Sequence, residues 1–140
     1  PQGDFGRAWE YYGTPAYAGW PAARAWAGQP ASSGSPRSSL LGWAETTQGR
    51  DGLWSFQRST GHRQVSASLE TALMLLALRE VQAPEKLAVP AQRALLSRQQ
   101  ADGRWEGGWF PIPSERYEKR EDVFATAIAI LALQAESPAR

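Results

Sequence analysis

The chain has 140 residues, and its 42% hydrophobic and 11% aromatic content suits one folded domain rather than a disordered chain. Fifteen basic and fourteen acidic residues leave a formal charge of +1 without any basic run, so we expect no nucleic-acid partner. The chain lacks cysteine and has one histidine, which excludes disulfides and thiolate zinc sites, and no apolar run approaches the ~20 residues of a membrane span.

Residues 1–37 combine turn-forming and aromatic residues: they hold five of the ten prolines and seven of the fifteen aromatic side chains. Proline predicts turns and the aromatic residues predict packed surface, so this region should be irregular but ordered, with one short helix near residues 15–27. The stretch Ser32-Ser33-Gly34-Ser35-Pro36 is the best linker candidate. We therefore interpret residues 1–37 as a truncated, aromatic-rich repeat followed by a linker.

Four further segments have apolar residues at helical spacing, namely residues 39–48, 65–79, 90–100 and 122–134. The first should close at Gly49, and the third should have Pro90 at its first helical position. The second should be deeply buried, because its second half is apolar on nearly every side. Their Ala and Leu content argues against strands, so the predicted fold class is all-α. Residues 38–140 then form two hairpins in a single domain, each an outer helix, a turn, a loop and an inner helix.

The pattern Gln-x-x-Asp-Gly-x-Trp occurs twice, with its copies 51 positions apart. Its residues are Gln48, Asp51, Gly52 and Trp54 in the first copy and Gln99, Asp102, Gly103 and Trp105 in the second. Gly3 and Phe5 fit a third copy that is cut off at its front, with Gln2 where the aspartate belongs. A repeat of this length indicates a repeating supersecondary unit.

Each residue type in the motif suits a turn at the end of a helix. Glycine can adopt the left-handed backbone conformation of such turns, aspartate can accept backbone N–H groups, and the glutamine amide can lie on the indole and use both its donor and its acceptor. Two copies of one constellation suit a scaffold better than a single active site. The sequence therefore predicts a structural clip between adjacent units.

These tandem turns, each between an amphipathic helix and an apolar helix that begins with Thr-Ala, resemble the QW repeats of squalene-hopene and oxidosqualene cyclases. The segment Gly6-Arg7-Ala8-Trp9-Glu10-Tyr11-Tyr12-Gly13-Thr14 is similar to a Gly-Arg-Trp…Tyr-Gly-Thr segment in the C-terminal domain of hopene cyclases. The resemblance implies a partial α/α toroid, the architecture shared with the wider prenyltransferase superfamily, and the C-terminal portion of a terpenoid cyclase. The zinc-dependent prenyltransferase branch is disfavoured, because its cysteine ligand is missing.

In that family a protonated aspartate within Asp-x-Asp-Asp starts the cyclisation of a polyprene, an isomerisation without a cofactor, and aromatic faces stabilise the cations that follow. By segment order this acid lies upstream of Pro1. The string that begins at Asp122 keeps the first aspartate and the Thr-Ala but has Phe124 and Ala125 at the other carboxylate positions. We therefore expect no catalytic residue, metal site or cofactor in this chain, and a solvated or helix-capping role for Glu70 rather than an inward one.

Several aromatic residues are candidates for lining a pocket, although packing in a core or interface accounts for such residues as well. The candidates are Trp9, Tyr11, Tyr12, Trp109, Phe110, Tyr117 and Phe124.

Two other functions remain open. A non-catalytic toroid module would use the same scaffold to bind a protein partner or an isoprenoid-like apolar ligand. A pure repeat fragment would expose apolar flanks at both ends, which favours self-association or a missing toroid half. We expect a soluble cytoplasmic protein, and the resemblance leaves peripheral membrane attachment open.

Overall fold

The computed structural model describes residues 14–28, 34–56, 65–108 and 122–134. These segments form five α-helices, namely α1 Ala16–Trp26, α2 Pro36–Thr47, α3 Ala67–Glu80, α4 Glu85–Ser97 and α5 Asp122–Gln134. Their only β-type pairing is one isolated antiparallel bridge between Val65 and Gly108. The predicted all-α class is therefore confirmed for the described part of the chain.

Helix α3 is the element on which most of the other helices pack. Helices α1, α3 and α5 form a row with α3 in the middle, while α2 packs on α1 and α4 packs on α3. Every residue from Ser68 to Leu78 is buried, so α3 is the centre of the core, as its apolar sequence predicted. None of the helices in the described segments has the length and apolarity needed to cross a membrane.

Two faces of α3 can be assigned from polar contacts with its neighbours. The indole Nε1 of Trp20 in α1 donates to Glu80 at 3.3 Å, which places one face of α3 against α1. Arg79 lies on the other side, where its Nη1 group donates to the carbonyl of Leu131 in α5 at 3.5 Å. Helix α3 is thus held between α1 and α5.

Serine caps fix the start of α2 and of α3. The Ser35 hydroxyl accepts the backbone N–H of Ser38 at 3.2 Å, and Pro36 occupies the first helical turn of α2. Helix α2 therefore begins three residues before the predicted start, inside the stretch that we interpreted as a linker. Ser66 caps α3 in the same way, with the N–H of Leu69 at 3.1 Å.

The predicted start of α4 at Pro90 is wrong, because this proline lies inside the helix. The helix begins at Glu85, an acidic residue that suits the positive end of the helix dipole. It buries Leu87, Ala91 and Leu95, which lie on one stripe at intervals of four residues. Burial of Leu87 requires helix on the N-terminal side of Pro90, and this packing outweighs the loss of one N–H donor at the proline.

Helices α3 and α4 are joined by a tight turn at Gln82, which has a φ of +50°. The N–H of Ala83 donates to the carbonyl of Leu78 at 2.9 Å, which is the hydrogen bond of a Schellman motif. This motif normally has glycine at the left-handed position, so Gln82 carries a conformational cost.

Candidate functional site

The two copies of the motif form turns with the same backbone conformation and the same hydrogen bonds. Gly52 and Gly103 have φ values of +85° and +84°, the left-handed conformation predicted for both. The Nε2 group of Gln48 donates to the Gly52 carbonyl at 3.0 Å, and that of Gln99 donates to the Gly103 carbonyl at 2.9 Å. One turn geometry thus occurs twice, 51 residues apart.

Both aspartates of the motif accept a backbone N–H inside their own turn. Oδ1 of Asp51 accepts from Leu53 at 3.2 Å, and Oδ1 of Asp102 accepts from Arg104 at 3.1 Å. The guanidinium of Arg104 also donates to Asp102 at 2.8 Å, and these bonds hold the pKa of Asp102 below its usual value. The aspartates therefore close the turn, which fits the predicted structural role.

Each tryptophan of the motif joins its turn to the helices before and after it. The Trp54 indole donates to the carbonyl of Ala44 in α2 at 3.0 Å, and its backbone N–H donates to the hydroxyl of Thr71 in α3 at 3.0 Å. The Trp105 indole donates to a carbonyl of α4 at 2.7 Å, and its backbone N–H donates to Thr126 in α5 at 3.1 Å. The bonds match although four more residues separate tryptophan from threonine in the second unit.

The predicted clip to an adjacent unit is formed by the first turn. Nε2 of Gln48 donates a second hydrogen bond, to the carbonyl of Leu87 in α4, at 3.0 Å. Gly52 lies so close to α4 that a Cβ there would be 2.7 Å from the Pro90 carbonyl oxygen. In the second turn, Gln99 bonds only within the turn as far as the described residues extend, and the atom nearest a Cβ on Gly103 is Gln99 Nε2 at 3.8 Å.

The expected solvated or capping role of Glu70 is wrong, because its side chain is buried at 2% exposure. Its Oε2 atom accepts the backbone N–H of Phe56 at 2.8 Å, and it also forms a hydrogen bond with the hydroxyl of Thr14 at the start of α1. Glu70 therefore connects the segment after the first turn, the inner helix α3 and the start of α1.

Burial raises the pKa of the Glu70 carboxyl from 4.5 to about 7, while its bonds with Thr14 and Phe56 lower it by less. A buried carboxylate loses its hydration, and no cation pairs with it among the described residues. Near neutral pH a large fraction of Glu70 is therefore protonated. The group could in principle hold or release a proton at this position.

In the second unit, a different carboxylate accepts the backbone N–H that corresponds to that of Phe56. Gly107 matches Phe56 at the 51-residue spacing, and its N–H donates to Oδ1 of Asp122 at 3.0 Å. Asp122 is the first residue of α5 and has Arg104 within 3.9 Å, whereas the position that matches Glu70 is the buried Ala125. The buried carboxyl is therefore particular to the first unit.

Among the candidate pocket aromatics, the structure describes only Phe124. This side chain is half-buried against the core, and its ring centroid lies 6.2 Å from that of Tyr17 in α1. Trp43 and Phe56, which sequence reasoning did not single out, stack at 4.8 Å between centroids. The candidates outside the described residues are Trp9, Tyr11, Tyr12, Trp109, Phe110 and Tyr117.

A scan against protein-family models and searches of curated proteins and of solved structures found nothing that matches this chain. The described residues also contain no group of three or more His, Cys, Asp or Glu side chains that could hold a metal ion. The matching turns and the buried carboxyl are therefore the features of this chain that bear on its function.

Proposed function

We propose that this chain is part of a squalene-hopene-cyclase-like terpenoid cyclase, in which it forms a section of an α/α toroid and is not catalytic by itself. The complete protein would cyclise a linear isoprenoid, with its acid supplied from outside this chain. The observation that carries the proposal is the pair of matching turns, whose glutamine, aspartate, glycine and tryptophan make the same bonds twice.

The arrangement suits a ring scaffold. Each tryptophan ties an outer helix to an inner helix, and Gln48 ties the first unit to the second through α4. Repeating such links would place inner helices side by side in one layer and outer helices in another, and the packing of α3 against both α1 and α5 supports such an arrangement. The tryptophans and Gln48 make these links, while the aspartates and glycines shape the turns, which supports a scaffold role for the motif.

Product analysis tests the proposal directly. A longer protein that contains this chain and the chain of 140 residues alone are each incubated with squalene, and the extracts are examined by gas chromatography with mass detection. We expect a cyclic product from the longer protein, none from the chain alone, and loss of the product when the aspartates of its Asp-x-Asp-Asp string are replaced by asparagine. A longer protein without that string, or one that leaves squalene unchanged, would refute the cyclase assignment.

A second candidate function is a non-catalytic module that binds a partner through its scaffold. The observation that favours it is the apolar outer surface of α5, where Val123 is 79% exposed and Leu131 is 49% exposed. A helical surface of this kind suits contact with another protein or with an apolar ligand. Cyclisation of squalene by the longer protein would count against this second candidate.

A further inference from the structure

We propose that the second turn and the outer face of α5 form one docking surface for a further helical hairpin of the same repeat type. We call this surface the open end and define it by Gln99, Gly103, Val123, Ile130 and Leu131. The inference rests on the internal repeat, in which the first unit shows how the matching surface is covered. It is independent of whether the complete protein is a cyclase.

The matching face of α3 is covered by α5. Arg79 contacts α5, and the residues that share its helix face at intervals of three and four are Ser68, Ala72, Leu75 and Leu76. All four are at most 5% exposed. In the first unit, an inner helix of the following unit therefore seals this face from solvent.

The same face of α5 is exposed. Thr71 and Thr126 occupy matching places in α3 and α5 and lie 55 positions apart, so the same spacing relates the other residues of the two helices. The α5 residues that match the five residues of this α3 face are Val123, Ala127, Ile130, Leu131 and Gln134. Val123, Ile130 and Leu131 are 79%, 39% and 49% exposed, and none of the five residues is charged. An uncharged apolar stripe of this kind fits another apolar helix, as α5 fits α3.

The second turn, which is the polar part of the open end, also lacks, among the described residues, the neighbour that covers the first turn. In the first turn the glutamine amide reaches a carbonyl of α4, and the turn glycine lies against the carbonyl of Pro90. In the second turn Gln99 is exposed, and a Cβ on Gly103 would meet no main-chain atom within 4 Å. An outer helix with a main-chain carbonyl near Gln99 would complete the contact that the first turn makes.

These two observations together specify the occupant. It is a hairpin whose outer helix presents a carbonyl to Gln99 and passes close to Gly103, and whose inner helix places an apolar face along Ile130 and Leu131. The α4–turn–α5 hairpin of this chain has these properties and occupies the equivalent place on the first unit. The interface between the first and second units would thus continue to a third.

The experiment uses the full chain with residues 85–140 repeated once after Arg140, so that a hairpin of the stated type is available. Amide hydrogen exchange is measured for the extended chain and for the chain of 140 residues. We expect exchange in the second turn and along α5 to slow by about tenfold or more in the extended chain, because packed neighbours protect the backbone from local opening. The amides of α2 should be unchanged, because α2 packs on α1 rather than on α5.

Leu131→Glu in the extended chain should abolish the added protection, because it places a charge in the new interface. Ser97→Glu is the matched control: Ser97 is exposed, and its counterpart in the first unit, Thr46, is exposed and hydrogen-bonds to carbonyls of its own helix, so this position stays in solvent when a unit is covered. Leu131 and Ser97 are both exposed in the original chain, so neither change should prevent folding.

Three results would overturn the proposal. The first is unchanged exchange at the second turn and α5 in the extended chain. The second is an equal effect of the substitutions at Leu131 and Ser97. The third is sedimentation of the original chain as a dimer that Leu131→Glu dissociates, because a second copy rather than a further hairpin would then cover α5. None of these measurements depends on a substrate, so they leave the cyclase proposal untouched.

Discussion

The buried carboxyl of Glu70 should make the stability of the protein fall as the pH rises. Its pKa is 4.5 in an unfolded chain and about 7 in the folded one, so the folded state binds the proton more tightly. The contribution of this group to the free energy of unfolding is fully present below pH 4.5. It decreases between pH 4.5 and about 7, and it stays low above that range. The difference between the two pKa values corresponds to roughly 3 kcal/mol.

Glu70→Gln removes the titrating group and keeps an oxygen that can accept the Phe56 N–H. We expect the free energy of unfolding to become less dependent on pH between 4.5 and 7, and the variant to exceed the original protein at pH 8 by up to roughly 3 kcal/mol. Urea denaturation of both proteins at intervals from pH 4.5 to 8.5 gives this difference. Other titrating groups are common to both proteins and cancel in the comparison.

Asp122→Asn is the matched control, because Asp122 accepts the equivalent N–H but has Arg104 nearby. It should bring no gain at pH 8, since this substitution removes an attraction to the guanidinium, whereas Glu70→Gln removes a buried charge that pairs with no cation among the described residues. A parallel pH dependence of the original protein and Glu70→Gln would refute the reasoning. So would a gain from Asp122→Asn as large as that from Glu70→Gln.

Three further substitutions test the turns and the helix connection by urea denaturation. Gly52→Ala should lower the free energy of unfolding by at least about 1 kcal/mol more than Gly103→Ala does. Both substitutions strain a left-handed backbone position, but only the Cβ at position 52 meets a carbonyl of α4, so equal losses would contradict that close approach. Gln82→Gly should stabilise by about 0.5–1 kcal/mol by relieving the left-handed position, whereas a loss would show that the side chain contributes more than the strain. Thr71→Val should cost about 1–3 kcal/mol by leaving a buried N–H without its acceptor, and an unchanged stability would argue against that bond.

Helix type and most helix positions could be predicted from the sequence, because apolar spacing reports the face that each helix buries. The bounds of α5 were predicted at both ends, and α1 and α3 within one or two residues. The start of α4 was not, because the rule that favours proline in the first turn competes with the burial of Leu87. Local propensity is weaker than that tertiary contact.

The site was less predictable because burial of a polar residue depends on its neighbours in space. Glu70 follows an apolar residue and lies four residues after a capping serine, which is compatible with a solvated first turn. Its burial results from the packing of Thr14 and α1 against α3, contacts that connect residues more than fifty positions apart. One signal was available: the matching position in the second unit is Ala125, so both positions could have been expected to face inward.

The second unit also shows how the first could satisfy the Phe56 N–H at lower cost. The position in α3 that matches Asp122 is Ala67, the first residue of that helix, where a carboxylate gains from the helix dipole. We expect the double variant Ala67→Asp with Glu70→Ala to lose the decrease in stability between pH 4.5 and 7. At pH 8 it should exceed the single variant Glu70→Ala by about 1–2 kcal/mol, because the N–H regains a charged acceptor. Urea denaturation of both variants at pH 8 measures that gain. Equal stability would mean that a carboxylate at the start of α3 does not reach the N–H.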